Sequence, residues 1–291
     1  MSHLKRFYVD ALSPNKSFVT GDKVILDAAQ SNHLKNTLRL KLHSTIEIFN
    51  NHNESYMARV SLIPQKGGVE VEILSEVTPK TIYVPDITLA CAIAKGNRMD
   101  WLIEKTAEMG LTKLIPVITK RTVVKIDGLA PLERTMIRDK DKYISPHAVR
   151  ELSNGLRSPE NLLLHNKKIE RWHKLAISAA KQTGQNSILK VLPPLEFNSL
   201  GNLIKDFSLS LIAVPNADKY LPEVLEKSNL SGKILYLIGP EGDFTPDEIN
   251  AAMKWGVQPV RLPINAILRV ETAAVTMLAM LLYHFGKTEK S

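Results

Sequence analysis

Along the first part of the chain, hydrophobic positions recur at every second residue. Ser44-Thr45-Ile46-Glu47-Ile48-Phe49 alternates, a polar turn runs from Asn50 to Glu54, and Ser55-Tyr56-Met57-Ala58-Arg59-Val60 alternates again. Val69-Glu70-Val71-Glu72-Ile73-Leu74 follows a Gly67-Gly68 turn. A period of two broken by turn chemistry predicts a small antiparallel sheet or barrel. A short helix is expected around Ser31 to Leu38.

Past Pro79 to Pro85 the rhythm changes. Ile87 to Ile93 is an unbroken apolar run of the buried-strand type, and Asn97 to Met109 has helical spacing ended by Gly110. Leu114 to Ile118 is strand-like, Ile169 to Lys181 helical, and Leu209 to Val214 and Ile234 to Ile238 are strands. Strands alternating with helices predict a mostly parallel sheet covered on both faces. We place a domain boundary near residue 78, giving units of 1–78 and 79–291. The polar segment 127–165 reads as a long surface loop, or an excursion over the catalytic face.

One junction stands out. In Leu235-Tyr236-Leu237-Ile238-Gly239-Pro240-Glu241-Gly242-Asp243-Phe244-Thr245-Pro246-Asp247-Glu248, an apolar strand breaks into a glycine-bracketed corner. Thr245 is then an N-cap, Pro246 suits the first helical turn and Glu248 completes a capping box; Gly256 stops the helix. Ligands in open α/β sheets bind at the carboxyl ends of strands. Glu241 and Asp243 would repel phosphate, so the corner suits a neutral or cationic ligand, or is a tight connection that holds nothing. A second corner follows the short strand Val257 to Leu262. There Arg269 and Glu271 directly precede a helix apolar nearly all round, which must be buried in a core or against a second subunit. They are either a chemical pair or a structural one.

Composition narrows the setting. The net charge of +8 favours a polyanionic partner. Cys91 is the one cysteine, so a disulfide framework and a thiolate metal cluster are excluded. The eight histidines are scattered without ligand spacing, so no metal is expected. The sequence "MSHLKRFYVD" lacks the apolar centre of a signal peptide, and Ala273 to Tyr283 is too short to span a bilayer. A cytoplasmic protein without membrane contact is the expectation.

"LIGPEGDFTPDEI" followed by "ILRVETAAV" resembles the C-terminal signature of the ribosomal RNA small subunit methyltransferase E family. "KGNRMDWLIEKTAEMGLTKLIPVITKRTVVK", "RWHKLAISAAKQTGQ", "RFYV" and "NHLKNTLRLK" resemble further blocks of it, so the likeness covers most of the chain outside about 127–165. The resemblance implies a small N-terminal PUA-like β-barrel and an α/β SPOUT-type domain with a C-terminal trefoil knot, acting as a homodimer. It implies S-adenosyl-L-methionine as cofactor and methylation of N3 of one uridine in 16S ribosomal RNA of the 30S subunit. Carried over, Leu237, Ile238, Gly239, Glu241 and Gly242 from the first corner and Leu262, Ile267 and Leu268 from the second would hold the cofactor. Arg269 would stabilise charge on the uracil, and Glu271 would orient Arg269 or accept the proton.

Departures from the family pattern fall at Asp243, where Gly is usual, and at Pro263 to Ala266, which lacks a glycine and an arginine. They also fall at Lys181 and Gln185 in a block that keeps only Gln182. The RNA-binding candidates are Arg6, Arg39, Lys41, Lys95, Lys120, Arg121 and Gln182. Clustered basic residues favour phosphate contact and a steep salt dependence. The alternatives are another SPOUT enzyme, acting on transfer RNA ribose, and a non-catalytic RNA-binding or assembly factor.

Overall fold

The structure is a computed structural model that describes residues 4–9, 17–50, 54–77, 86–123, 167–185, 187–228 and 232–288. The expected boundary at residue 78 and the segment 127–165 lie outside the described residues. Two units are present, one within Met1–Tyr83 and Ile177–Ile188, the other within Val84–Ala176 and Leu189–Ser291.

The first unit is built on a five-stranded sheet of order β1-β3-β4-β5-β2. Its strands are β1 (Arg6–Tyr8), β2 (Lys23–Ile25), β3 (Thr45–Phe49), β4 (Ser55–Leu62) and β5 (Glu70–Val77). Alternation does what the sequence predicts: Ile46, Ile48, Ala58, Val60, Val71 and Ile73 point into one core. The helical segment begins earlier than expected. α1 (Ala28–Asn32) is capped by Asp27, and a wider π-type turn continues over His33–Thr37.

The hydrogen-bond ladder ends at β1 and β2, so among the described residues backbone pairing does not close a barrel. β1 pairs parallel to β3, and its other edge is met by a side chain. Gln30 accepts from the Tyr8 N–H at 2.8 Å and donates to the Tyr8 carbonyl at 2.5 Å, taking the place a further strand would occupy.

The second unit is a parallel sheet of order β12-β10-β11-β6-β7-β8, with β9 also pairing β7. Its strands are β6 (Ile87–Ala92), β7 (Lys113–Ile118), β8 (Lys190–Val191), β9 (Leu195–Glu196), β10 (Leu209–Ala213), β11 (Ile234–Ile238) and β12 (Gln258–Val260). Every residue of β6 and β11 is buried, as central parallel strands covered on both faces require. β11 enters between β10 and β6, two strands that precede it in the chain. The carboxyl ends of β6, β11, β10 and β12 therefore lie side by side, where this sheet class binds ligands.

The longer helices are α2 (Arg98–Glu108), α3 (Lys167–Thr183), α5 (Pro246–Lys254) and α6 (Val270–Thr288), with a short α4 (Leu221–Glu226). Along α6, Val270, Ala274, Met277, Leu278, Leu281 and Phe285 are buried, whereas Tyr283 is exposed. α2 packs against α6.

Candidate active site

The first corner follows β11. The Asp243 N–H donates to the Pro240 carbonyl at 2.9 Å, closing the turn. Asp243 has a φ of 62°, a left-handed conformation that costs an L-residue roughly 1–2 kcal/mol and that Asp tolerates better than most. Its carboxylate accepts the Phe244 N–H at 2.8 Å. Burial raises the Asp243 pKa, against lowering by that bond and by Arg121.

α5 then starts as the sequence predicts. Thr245 and Glu248 form the reciprocal capping box with Pro246 in the first turn. At the far end Gly256 has a φ of 93°; its N–H reaches the Met253 carbonyl and the Val257 N–H reaches Ala252, a Schellman stop. The turn after β7 joins the α5 cap. The Lys120 N–H donates to Glu248 Oε1 at 2.8 Å, Lys120 Nζ pairs with Asp247 at 2.8 Å, and Arg121 Nη1 donates to the Gly242 carbonyl at 2.5 Å.

A cavity of about 710 Å³ opens between the start of α2 and the loop before α6. Lys95, Ile267, Leu268, Arg269 and Glu271, all singled out by sequence, line it together. Asn97, Arg98, Trp101 and Thr272 also line it, and sequence reasoning missed them. The signal for two was available: Arg98 and Trp101 stand three apart at the start of a helix, hence on one face.

Arg98 Nη1 pairs with Glu241 Oε1 at 3.1 Å, linking this cavity to the first corner. Glu271 is 9% exposed, and its Oε2 is buried without a hydrogen-bond partner. It lies in the first turn of α6, where the helix dipole favours negative charge. The buried Cys91 thiol at the end of β6 reports both carboxylates. Its pKa is pushed far up, by burial first and then by Glu241 and Glu271.

The remaining candidates divide. Leu237 and Ile238 are buried strand residues, so backbone atoms are what they can offer a ligand, while Leu262 is half-buried. Leu262 and the first corner leave β12 and β11, which flank β10, so the exit of β10 at Ala213 lies between them; the sequence did not single it out. In the first unit Arg39, Lys41 and Gln182 are exposed.

Arg6 corrects an expectation: its side chain is 7% exposed and leaves little surface for a phosphate. It pairs with Glu47 at 3.0 Å, and Nη1 donates to the Ala180 and Gln185 carbonyls, both at 3.0 Å. Its guanidinium also lies over the Phe49 ring at 4.5 Å. Lys181 donates to Gln30 at 2.7 Å, and burial lowers its pKa against the opposing pull of Asp27. No group of His, Cys, Asp and Glu suited to a metal ion occurs among the described residues. Nor is any described helix long and apolar enough to cross a membrane.

The family model of the RNA methyltransferase domain matches residues 83–137 and 157–282, and a model of the RNA methyltransferase PUA domain matches 26–74. The chain belongs to the RNA methyltransferase domain family. Among relatives of this methyltransferase, the ribosomal RNA small subunit methyltransferase E of Mesomycoplasma hyopneumoniae is 28% identical over 254 residues, covering 87% of this chain and 91% of that protein. A Legionella pneumophila methyltransferase solved with bound cofactor SAM is 25% identical at a TM-score of 0.74, covering 96% of this chain and 97% of that one. A ribosomal RNA small subunit methyltransferase E from Neisseria gonorrhoeae bound to S-adenosyl methionine is 28% identical at a TM-score of 0.72, with the same coverage. The family resemblance read from the two corner motifs is thus borne out, as is the pairing of a PUA domain with an α/β domain.

Proposed function

We propose that this methyltransferase uses S-adenosyl-L-methionine to methylate N3 of one uridine in 16S ribosomal RNA. In this reading it works in the cytoplasm as a homodimer on the 30S subunit, with its corners tied in a trefoil knot. The observation that carries the reading is Glu271, which lines a cavity together with Arg269 and has one carboxylate oxygen buried without a partner. An unsatisfied buried acceptor is costly, so a ligand group that meets it would recover that cost.

The residues fit the cofactor. Apolar Ile267 and Leu268 and the corner backbone at Leu237, Ile238, Gly239, Gly242 and Leu262 suit an adenosine and a thioether chain. Glu241 suits its positive charge. When bound, the cofactor supplies a methyl group on a cationic sulfur. The protein positions the acceptor, and proximity carries much of the rate in such a displacement. Arg269, exposed at the cavity rim, faces the ring carbonyls and stabilises the uracil anion. No hydrogen bond joins Arg269 to Glu271, which favours Glu271 as acceptor of the N3 proton over a purely orienting role. Arg39, Lys41, Lys95 and Gln182 contact RNA. Exposed Trp101 on α2 and Tyr283 on α6 provide apolar surface for the second subunit.

The test is mass mapping of methylated nucleotides in 30S particles incubated with the protein and labelled cofactor. One new N3-methyluridine in 16S RNA is expected. Label on another nucleotide would reassign the substrate, and particles competent for an active relative but left unlabelled would make the protein a binding factor.

A further inference from the structure

We infer that Arg121 is a positioning residue for the cofactor corner, strapping it in place from the turn after β7. The inference rests on the reading that this corner holds the cofactor.

β7 and β11 are not neighbours, because β6 lies between them. The turn after β7 must therefore reach past the end of β6 to touch the corner, and three contacts hold it there. Arg121 Nη1 donates to the Gly242 carbonyl at 2.5 Å. The Lys120 N–H donates to Glu248, a 4% exposed side chain whose other oxygen accepts from Thr245. Lys120 Nζ adds the exposed pair with Asp247. The turn is itself braced: the Thr119 N–H donates to Thr122 Oγ1 at 2.9 Å and the Thr122 N–H to the Thr119 carbonyl at 3.1 Å.

The peptide joining Gly242 to Asp243 is the point of the arrangement. Its carbonyl is held by Arg121 and its N–H by the Pro240 carbonyl, so the plane is fixed from both sides. A Cβ at Gly242 would lie 3.4 Å from Arg121 Cδ, ordinary van der Waals contact, so the stem of the arginine runs close beside this peptide. The left-handed Asp243 that follows depends on the same peptide orientation. A ligand gripped by backbone groups requires those groups to be set before it arrives, which lowers the cost of binding. Arg121 does this for the corner, and its guanidinium is thereby withdrawn from the RNA phosphate role that its charge suggests.

Two roles predict different measurements. Calorimetric titration of the full-length protein with S-adenosyl-L-methionine gives the affinity of wild type, Arg121→Ala and Arg121→Lys. Binding of a 16S RNA fragment is followed across a salt series. The expected result is a cofactor Kd raised about 3- to 10-fold in Arg121→Ala, the scale of losing one exposed hydrogen bond. Arg121→Lys falls between, since it keeps a donor without the fork. KM for the cofactor rises while kcat at saturation holds, and the salt slope for RNA is unchanged.

An unchanged cofactor affinity in folded Arg121→Ala overturns the inference. So does a salt slope that drops by about 0.7–0.9, the signature of one lost phosphate contact. Should Arg121→Ala not fold, Arg121→Lys decides on the same readouts. Failure of wild type to bind the cofactor overturns the reading of the corner itself, a separate outcome from failure in the variants alone.

Discussion

Replacing Glu248 tests whether the α5 cap and the turn after β7 are one structural unit. Glu248 is 4% exposed and accepts the Lys120 N–H at 2.8 Å, the Thr245 N–H at 2.8 Å and the Thr245 hydroxyl at 2.9 Å. Glu248→Ala strips partners from two backbone donors and removes charge-assisted bonds. At about 1.5 kcal/mol for each backbone donor the cost is about 3 kcal/mol. Thr245→Ala loses the cap alone and should cost about 1 kcal/mol. The pair shares bonds, so the double variant should fall short of the sum by about 1 kcal/mol. Urea unfolding of the four proteins measures all of this, with a shift in midpoint at constant slope as the criterion. A Glu248→Ala cost no larger than that of Thr245→Ala would refute the argument, since it would mean that the tertiary bond to Lys120 contributes nothing.

Other consequences are independent of that cap. At Asp243, Ala keeps the left-handed strain and loses the bond to Phe244, whereas Gly relieves the strain; Gly should be the more stable of the two by about 1 kcal/mol in the same unfolding assay. Glu271→Gln should lower the methylation rate on 30S particles by about 100-fold, the usual scale for a positioned proton acceptor, with cofactor binding retained by calorimetry. Arg6→Ala breaks a buried pair and should cost about 3 kcal/mol in unfolding without altering the salt slope of RNA binding. Tyr56 is held protonated by burial and then by its bond to Glu54, with its pKa raised from 10.0 to about 12. The folded state thus keeps a proton that the unfolded chain loses above pH 10. Stability should fall as pH rises through that window, and Tyr56→Phe should flatten the fall in denaturation curves taken across it.

What the sequence by itself determined were features whose causes lie within a few residues. The Thr245–Pro246–Glu248 start of α5 and its Gly256 stop are local hydrogen-bond and backbone preferences, so they could be read before any neighbour was known. The alternating strands of the first unit and the unbroken apolar strands of the second announce one buried face and two, and the motifs of both corners carried the family. Only the tertiary structure decided what those residues meet. Arg6 looks like any basic residue beside an apolar stretch, and its burial follows from Glu47, Phe49 and the carbonyls of Ala180 and Gln185, partners distant in the chain. Gln30 at the edge of β1, Arg98 against Glu241 and Trp101 in the cavity are likewise set by contacts across the fold. Glu248 shows the division in one side chain. Its bond to Thr245 was legible because it spans three residues, and its bond to Lys120 was not, because only the parallel sheet puts the exits of β7 and β11 at the same end, one strand apart.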